Sequence, residues 1–168
     1  MLEEKVQKYL AEHYEVEEWE AKDVMENKGS FYLLLIWGIF EQKYFPGKNN
    51  NVFNKIKKMK NNFKIYDCYN DFSQIALSFY DTFKDDNRWQ KLDIDILSNK
   101  KNDVFNNIRC KKREDLSEIE IIRFGLFIIY RYRNNIFHGM KEAINFNQYT
   151  KEIEDCVNLL IAYLKGVK

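Results

Sequence analysis

The sequence has little that interrupts a helix and little that marks a secreted protein. One proline and six glycines stand among 168 residues, so few positions force a turn, and long helices are favoured over many short strands. Three cysteines, Cys68, Cys110 and Cys156, are odd in number and show no CxxC spacing. That pattern argues against a disulfide framework and against a cysteine zinc site. Three free thiols are typical of a reducing compartment, and we expect a cytoplasmic protein.

An excess of one charge is also missing. The 27 basic and 26 acidic residues leave a net charge of +1, whereas nucleic-acid binders are often strongly basic. Any contact with RNA must therefore come from local patches. The longest apolar run, 31–40, is about half the length that a membrane-spanning helix needs. We expect no membrane association. No histidine–carboxylate spacing suggests a metal site, so we expect no metal. We also expect no cofactor.

Apolar and aromatic residues are plentiful, at 45% and 16% of the chain, which indicates a folded protein with a core of its own. We predict a single all-α domain over 1–168, with an N-terminal helical extension at 1–28 and a core at 29–168. In four segments of the core, apolar residues recur every three or four positions, which predicts a bundle of four long helices. These segments are 31–44, 66–83, 115–137 and 147–164.

The shorter features complete this fold prediction. The segment 2–26 has apolar residues at helical spacing among many glutamates and is interpreted as one surface helix. Gly29-Ser30 is expected to supply a break and the cap of the next helix. Asp115 or Ser117 is expected to cap the helix at 115–137. The alternation at 93–96 is typical of a strand but covers too few residues to support a sheet.

Arg133 is the unusual residue of the segment 115–137. Its place continues an apolar stripe formed by Ile119, Ile122, Leu126 and Ile129. A buried arginine is costly without a partner. Arg133 is therefore either structural, with an internal partner or a side chain that snorkels to the surface, or it is a functional group. Both alternatives are open from the residue pattern alone.

His138 follows Arg133 by five positions, which places the two about 140° apart on one straight helix. They can serve one site if the helix ends or bends near Phe137, and Gly139 is the residue type that commonly follows a helix end. A second subunit that shares the site is the other possibility. A histidine that only hydrogen-bonds the last carbonyls of the helix is the structural alternative.

Arg133-Asn134-x-x-x-His138 resembles the R-x4–6-H motif of the HEPN superfamily, in its form with asparagine after the arginine. The run from Arg133 to Gly139 is similar to versions in bacterial toxin and defence proteins, and the resemblance covers about residues 115–165. It implies an HEPN-like helical bundle of four core helices plus an N-terminal helix. It also implies a metal-independent endoribonuclease that acts as a homodimer with a composite active site.

The resemblance also implies roles for the site residues. The ribose 2′-OH attacks the adjacent phosphate, so RNA is the substrate. His138 is expected to transfer the proton, Arg133 to stabilise charge on the phosphate, and Asn134 to orient His138 or the phosphate. Arg131 and Lys141 flank the motif and are predicted to contact substrate. An antitoxin or another defence-system protein is a further expected partner.

Two other functions compete with the nuclease. One is a non-catalytic HEPN module that binds a nucleotide, RNA or a partner protein, and the other is a helical interaction protein in which Arg133 and His138 are structural.

Toxins of this family that are silenced by AMP transfer have a tyrosine two places after the histidine. Met140 occupies that place here, so we do not predict this control, although Tyr130 and Tyr132 nearby stay open as targets. The lysines at 55–64 are interpreted as a solvated helix face in preference to an RNA-binding tract.

Overall fold

The computed structural model describes residues 2–47, 51–59, 68–85, 88–89, 104–137 and 147–167. In these ranges the chain forms α-helices and short 3-10 turns, and no strand occurs among them. The predicted all-α class is therefore confirmed for the described part. The helices are α1 (Leu2–Tyr14), α2 (Glu18–Glu26), α3 (Lys28–Tyr44), α4 (Val52–Lys57), α5 (Tyr69–Phe83), α6 (Val104–Arg109), α7 (Glu118–Phe137) and α8 (Thr150–Gly166). The segment 93–96 lies outside the described residues.

The N-terminal segment is two helices, so the prediction of one helix over 2–26 is wrong. Glu15 has a φ of 53°, and the amide of Val16 donates to the carbonyl of Ala11 at 3.0 Å. A left-handed residue followed by this 6→1 hydrogen bond is a common way for a helix to end. A glutamate at this position gives no glycine signal that would have indicated the break. α1 packs against α2.

The start of α3 also differs from the prediction. Asn27 is the cap, and its Oδ1 accepts a hydrogen bond from the amide of Gly29 at 3.1 Å. The helix therefore begins at Lys28, and Ser30 is buried inside its first turns instead of capping it. Both Asn and Ser cap helices well, so the residue type alone did not decide between them. The predicted end at Tyr44 is confirmed.

Four long helices, α3, α5, α7 and α8, form the core. α3 packs on α8, α5 packs on α7 and α8, and α7 packs on α8. The aromatic contacts are mostly edge-on or tilted; the ring centroids of Phe40 and Tyr163, for example, lie 5.6 Å apart. Gly125 allows the close approach of α5, since a Cβ there would lie 2.8 Å from Cζ of Phe72. The specific HEPN arrangement of these helices and the division at residue 28 stay predictions.

A second aromatic layer covers the other side of α7. Phe105 of α6 stacks on Phe127 of α7 with a centroid distance of 4.1 Å, and Trp89 lies 5.5 Å from the same ring. α7 is therefore packed on several sides, and residues 126–129 are completely buried. No helix within the described ranges has both the length and the apolar character to cross a membrane.

Candidate functional site

Arg133 of the predicted motif lies in the C-terminal turns of α7. Hydrogen bonds at the other end of this helix cap its first turn. Of the two predicted caps, Ser117 directly precedes the first turn, and Asp115 ends a 3-10 turn before it. The Ser117 amide and hydroxyl both donate to Glu120 Oε2, at 3.0 Å and 2.8 Å. Lys111 Nζ lies 2.6 Å from Glu120 Oε1. A capping carboxylate at this place satisfies an amide that has no partner within the helix. Burial by itself raises the pKa of Glu120, but the hydrogen bonds from Lys111 and Ser117 lower it below its ordinary value.

Arg133 is partly buried, where the apolar stripe of α7 predicts it. Its Nη1 donates to Oδ1 of the adjacent Asn134 at 2.9 Å. Its guanidinium carbon lies 5.9 Å from the centroid of the Trp37 ring on α3. A guanidinium is attracted to the π-face of an indole at this range. Arg133 is thus oriented by a neighbour on its own helix and by an aromatic ring on another.

Trp37 is the residue of this site that the sequence did not indicate. It is buried and belongs to the most apolar helix, where a tryptophan looks like ordinary core. It also packs 6.1 Å from the ring of Tyr130 on α7. Since Trp37 and Arg133 lie far apart in the sequence, only the packing of α3 on α7 brings them together.

Arg131 lies on a different side of α7 from Arg133, since two residues rotate a helix by about 200°. Its side chain is only 4% exposed. In this arrangement a substrate reaches Arg131 only if the atoms that cover it move, and its role as a substrate contact stays a prediction.

Tyr132 is 6% exposed, and its burial, with smaller effects of nearby Cys156 and Glu152, raises the pKa of its hydroxyl far above the usual range.

Asn135 adds a second polar group to this end of the helix. It is 4% exposed, and among the described residues its Oδ1 has no hydrogen-bond partner. A buried amide oxygen without a partner costs about 1–3 kcal/mol. Such groups are rare in protein cores and call for a reason. The end of α7 thus keeps polar groups where apolar ones would be more stable.

His138 and Lys141 lie outside the described residues. α7 reaches Phe137, directly before the histidine. The described part therefore contains Arg133, Asn134 and Arg131 of the predicted site residues, and it brings Arg133 and Asn134 into contact. The meeting of Arg133 with His138 stays a prediction, as does substrate contact by Lys141.

A groove of about 720 Å³ lies elsewhere, between the ends of α2, α3 and α8. Asp23, Glu26 and Glu154 are among the residues that line it, and Arg133 is not. Carboxylates repel a phosphate backbone, so this groove does not fit the predicted substrate. Its amides have a structural role, since Asn27 Nδ2 donates to Asn147 Oδ1 at 2.9 Å and ties α3 to the start of α8.

The lysines of α4 lie over aromatic rings of the core. Lys57 Nζ is 4.3 Å from the Phe53 centroid, and Phe53 itself packs 6.1 Å from Phe127. Phe53 is therefore occupied by core packing in this arrangement. These contacts favour the interpretation of 55–58 as a solvated helix face, and residues 60–67 lie outside the described ranges.

Metal ligation has no candidate in the part of the chain that the structure describes, where no three histidine, cysteine or acidic side chains converge. Comparison with protein-family models, curated proteins and solved structures gives no match to this chain. The geometry at the end of α7 is therefore the basis for a functional proposal.

Proposed function

We propose that this protein is a metal-independent endoribonuclease that acts as a toxin or anti-phage defence effector. The observation that carries the proposal is Arg133, partly buried and held by Asn134 and Trp37, at the end of a helix that leads into His138. The same three residues, Arg133, Asn134 and His138, form the HEPN-like motif. A second copy of the chain supplies the other half of a composite site, and an antitoxin or defence protein is its further partner.

The proposed reaction needs a base, an acid and a fixed positive charge. One imidazole of His138 accepts the proton of the ribose 2′-hydroxyl, and the 2′-oxygen forms a bond to phosphorus. The bond from phosphorus to the 5′-oxygen breaks, and the imidazole of the second copy donates a proton to that oxygen. The products are a 2′,3′-cyclic phosphate and a 5′-hydroxyl. Arg133 stabilises the charge on the pentacoordinate phosphorus.

The surroundings of Arg133 support this role. A planar guanidinium that is already oriented loses less freedom when it binds phosphate than a mobile side chain does. The aromatic face of Trp37 and the side-chain amide of Asn134 orient the guanidinium of Arg133 by non-covalent contacts.

The experiment that tests the proposal is an RNA cleavage assay with purified protein in EDTA. We expect cleavage of RNA and no cleavage of DNA of the same sequence, because DNA lacks the attacking hydroxyl. The products should carry 2′,3′-cyclic phosphate and 5′-hydroxyl ends, which end-labelling and mass spectrometry distinguish from 3′-hydroxyl and 5′-phosphate ends. RNA binding by a folded dimer without any cleavage would instead support the non-catalytic module.

A further inference from the structure

The outer face of α3 exposes a continuous apolar stripe. Phe31, Leu35 and Ile39 are 58%, 50% and 52% exposed, and they follow one another at intervals of four residues, so they lie along one line of the helix. Tyr32 beside them is also largely exposed. From Gly29 to Phe40 the helix has no charged residue. Single exposed apolar residues are ordinary, but a stripe of this length marks an interaction surface.

Gly38 lies on the same face and has no role within the described chain. A Cβ built there meets nothing within 4 Å. A glycine in the interior of a helix weakens it relative to alanine, and no neighbour in the described part requires the missing side chain. A glycine on an exposed helix face does allow the backbone of another element to approach closely.

We propose that this stripe, Phe31-Tyr32-Leu35-Gly38-Ile39, is a self-association surface that binds the same stripe of a second copy in antiparallel orientation. The positions of its residues are self-complementary about Leu35. On a helix, Gly38 and Phe31 lie about 60° and 40° to one side of Leu35, and Tyr32 and Ile39 lie by the same angles to the other side. A two-fold axis at Leu35 therefore places Gly38 against the partner's Phe31.

The same two-fold axis places Ile39 against the partner's Tyr32, so each aromatic ring of the stripe meets a smaller residue. Leu35 meets the partner's Leu35 at the centre. A two-fold contact of this kind uses the same patch on both copies and closes on itself, which is the commonest symmetry of protein dimers.

Charge selects the antiparallel orientation. Lys28 stands seven residues before Leu35, and Gln42 stands seven residues after it. The antiparallel pair sets Lys28 opposite the uncharged Gln42 of its partner, whereas a parallel pair would set two Lys28 side chains side by side. Antiparallel order also places the partly negative C-terminal end of one α3 next to the partly positive N-terminal end of the other.

The size of the stripe predicts a weak dimer. Half of the accessible surface of a large side chain is about 100 Å². Four such side chains on each copy therefore bury a total on the order of 800 Å². This is below the range of about 1,200–2,000 Å² for stable complexes. Dissociation in the micromolar range is expected, and measurements must cover that range.

This surface is separate from the contact that forms the composite site of the proposed function, because Trp37, which contacts Arg133, lies about 200° around α3 from Leu35. It does not require that the protein cleaves RNA. The first test is sedimentation equilibrium of the full chain over a concentration series from 1 µM to 300 µM. The wild type should rise from the 20.4 kDa monomer towards twice that mass.

Leu35→Glu should raise the dissociation constant at least tenfold, because it places two like charges at the centre of an apolar contact. Trp19→Glu is the matched control, since Trp19 is 67% exposed on α2 and outside the stripe. Equal association of wild type and Leu35→Glu would overturn the proposal, as would a wild type that stays monomeric throughout. Circular dichroism confirms that both variants are folded.

Disulfide cross-linking tests the orientation. In a background with Cys68→Ser and Cys110→Ser, the variants Tyr32→Cys and Ile39→Cys should cross-link to each other when mixed and only weakly when alone. A parallel pair would give the reverse, with each variant cross-linking to itself, and would overturn the antiparallel arrangement. Cross-links can form only if the Cα atoms approach to about 7 Å or less.

A lipid surface is the other occupant that an apolar stripe fits, and flotation with neutral and anionic phospholipid vesicles tests it. Vesicle binding that Leu35→Glu abolishes, in a wild type that stays monomeric, would overturn self-association in favour of a membrane surface. If the wild type dimerises through the stripe but does not cleave RNA, this inference stands and the proposed function fails. If it cleaves RNA and Leu35→Glu associates normally, the proposed function stands and this inference fails.

Discussion

The guanidinium of Arg133 lies 5.9 Å from the ring of Trp37, and this contact joins the motif on α7 to the most apolar helix of the core. Trp37 is 1% exposed, so its ring is fixed by the packing of α3. It therefore offers Arg133 a rigid surface. The orientation of the arginine depends on how two helices pack as well as on the motif itself.

Trp37→Leu should reduce RNA cleavage by about fivefold to tenfold, because the loss of a cation–π contact of about 1 kcal/mol leaves Arg133 less well oriented. The matched control is Phe72→Leu, a buried aromatic of α5 that packs on Tyr163 and has no ring contact with Trp37 among the described residues. Both variants should lose about 1–3 kcal/mol of stability. Rates of cleavage and urea unfolding curves, measured on the same preparations, separate the two effects.

A positioning role for Trp37 predicts that kcat falls more than KM rises. If Phe72→Leu lowers cleavage as much as Trp37→Leu at equal folded fraction, the contact with Arg133 has no specific role, and the effect is one of general stability.

Two glycines in the middle of helices should respond in opposite ways to alanine. Gly125→Ala should destabilise the protein by about 1–3 kcal/mol through overpacking, because its Cβ would lie 2.8 Å from Phe72 Cζ and 3.2 Å from Ala76 Cβ. Gly38→Ala should stabilise it by up to about 1 kcal/mol, because the new methyl group meets nothing. Urea unfolding at low protein concentration, where the monomer dominates, measures both. Equal effects of the two substitutions would contradict the packing of α5 on α7.

The lowered pKa of Glu120 predicts a pH dependence of stability. The depressed folded value means that the carboxylate stabilises the native state above its ordinary pKa of 4.5, and this stability is lost as the pH falls through the folded pKa. Glu120→Gln should cost about 0.5–1 kcal/mol at pH 7. The difference in free energy of unfolding between the variant and the wild type should narrow below pH 4.5, where the wild-type carboxylate also becomes neutral.

Glu118→Gln is the control for this pH effect, since Glu118 stands in the same first turn and is exposed. Urea midpoints between pH 3 and pH 8 give the comparison, a range that spans the ordinary carboxyl pKa on both sides. A gap for Glu120→Gln that is independent of pH would contradict a charge effect and would leave only a change in helix capping.

Much of the fold could be predicted from the periodicity of apolar residues. Four residues of the 66–83 segment, Phe72, Ala76, Phe79 and Phe83, lie with Tyr80 on the buried face of α5, because spacing by three and four defines one side of a helix. The helix boundaries were less predictable. The break at Glu15 depends on a left-handed conformation that glutamate seldom adopts, and Asn27 and Ser30 were equally suitable caps.

The candidate site could be predicted only in part. A local motif identified Arg133 and Asn134, which are adjacent in the sequence, but their hydrogen bond to each other was not predicted. Trp37 could not be found in that way, since the pairing of distant helices leaves no trace in the local spacing. The exposure of Phe31, Leu35 and Ile39 was equally hidden, because an apolar run predicts burial and does not show which side of the helix the protein leaves uncovered.

The most direct test of the proposed function is the rate of RNA cleavage in EDTA by the wild type, Arg133→Ala and His138→Ala. Each preparation is checked for folding by thermal unfolding, and Trp19→Glu serves as a surface control. We expect both motif variants to lose at least a hundredfold in rate, as removal of a general acid–base group or a charge-stabilising group does, while the control keeps the wild-type rate. Cleavage by His138→Ala at the wild-type rate would contradict the account.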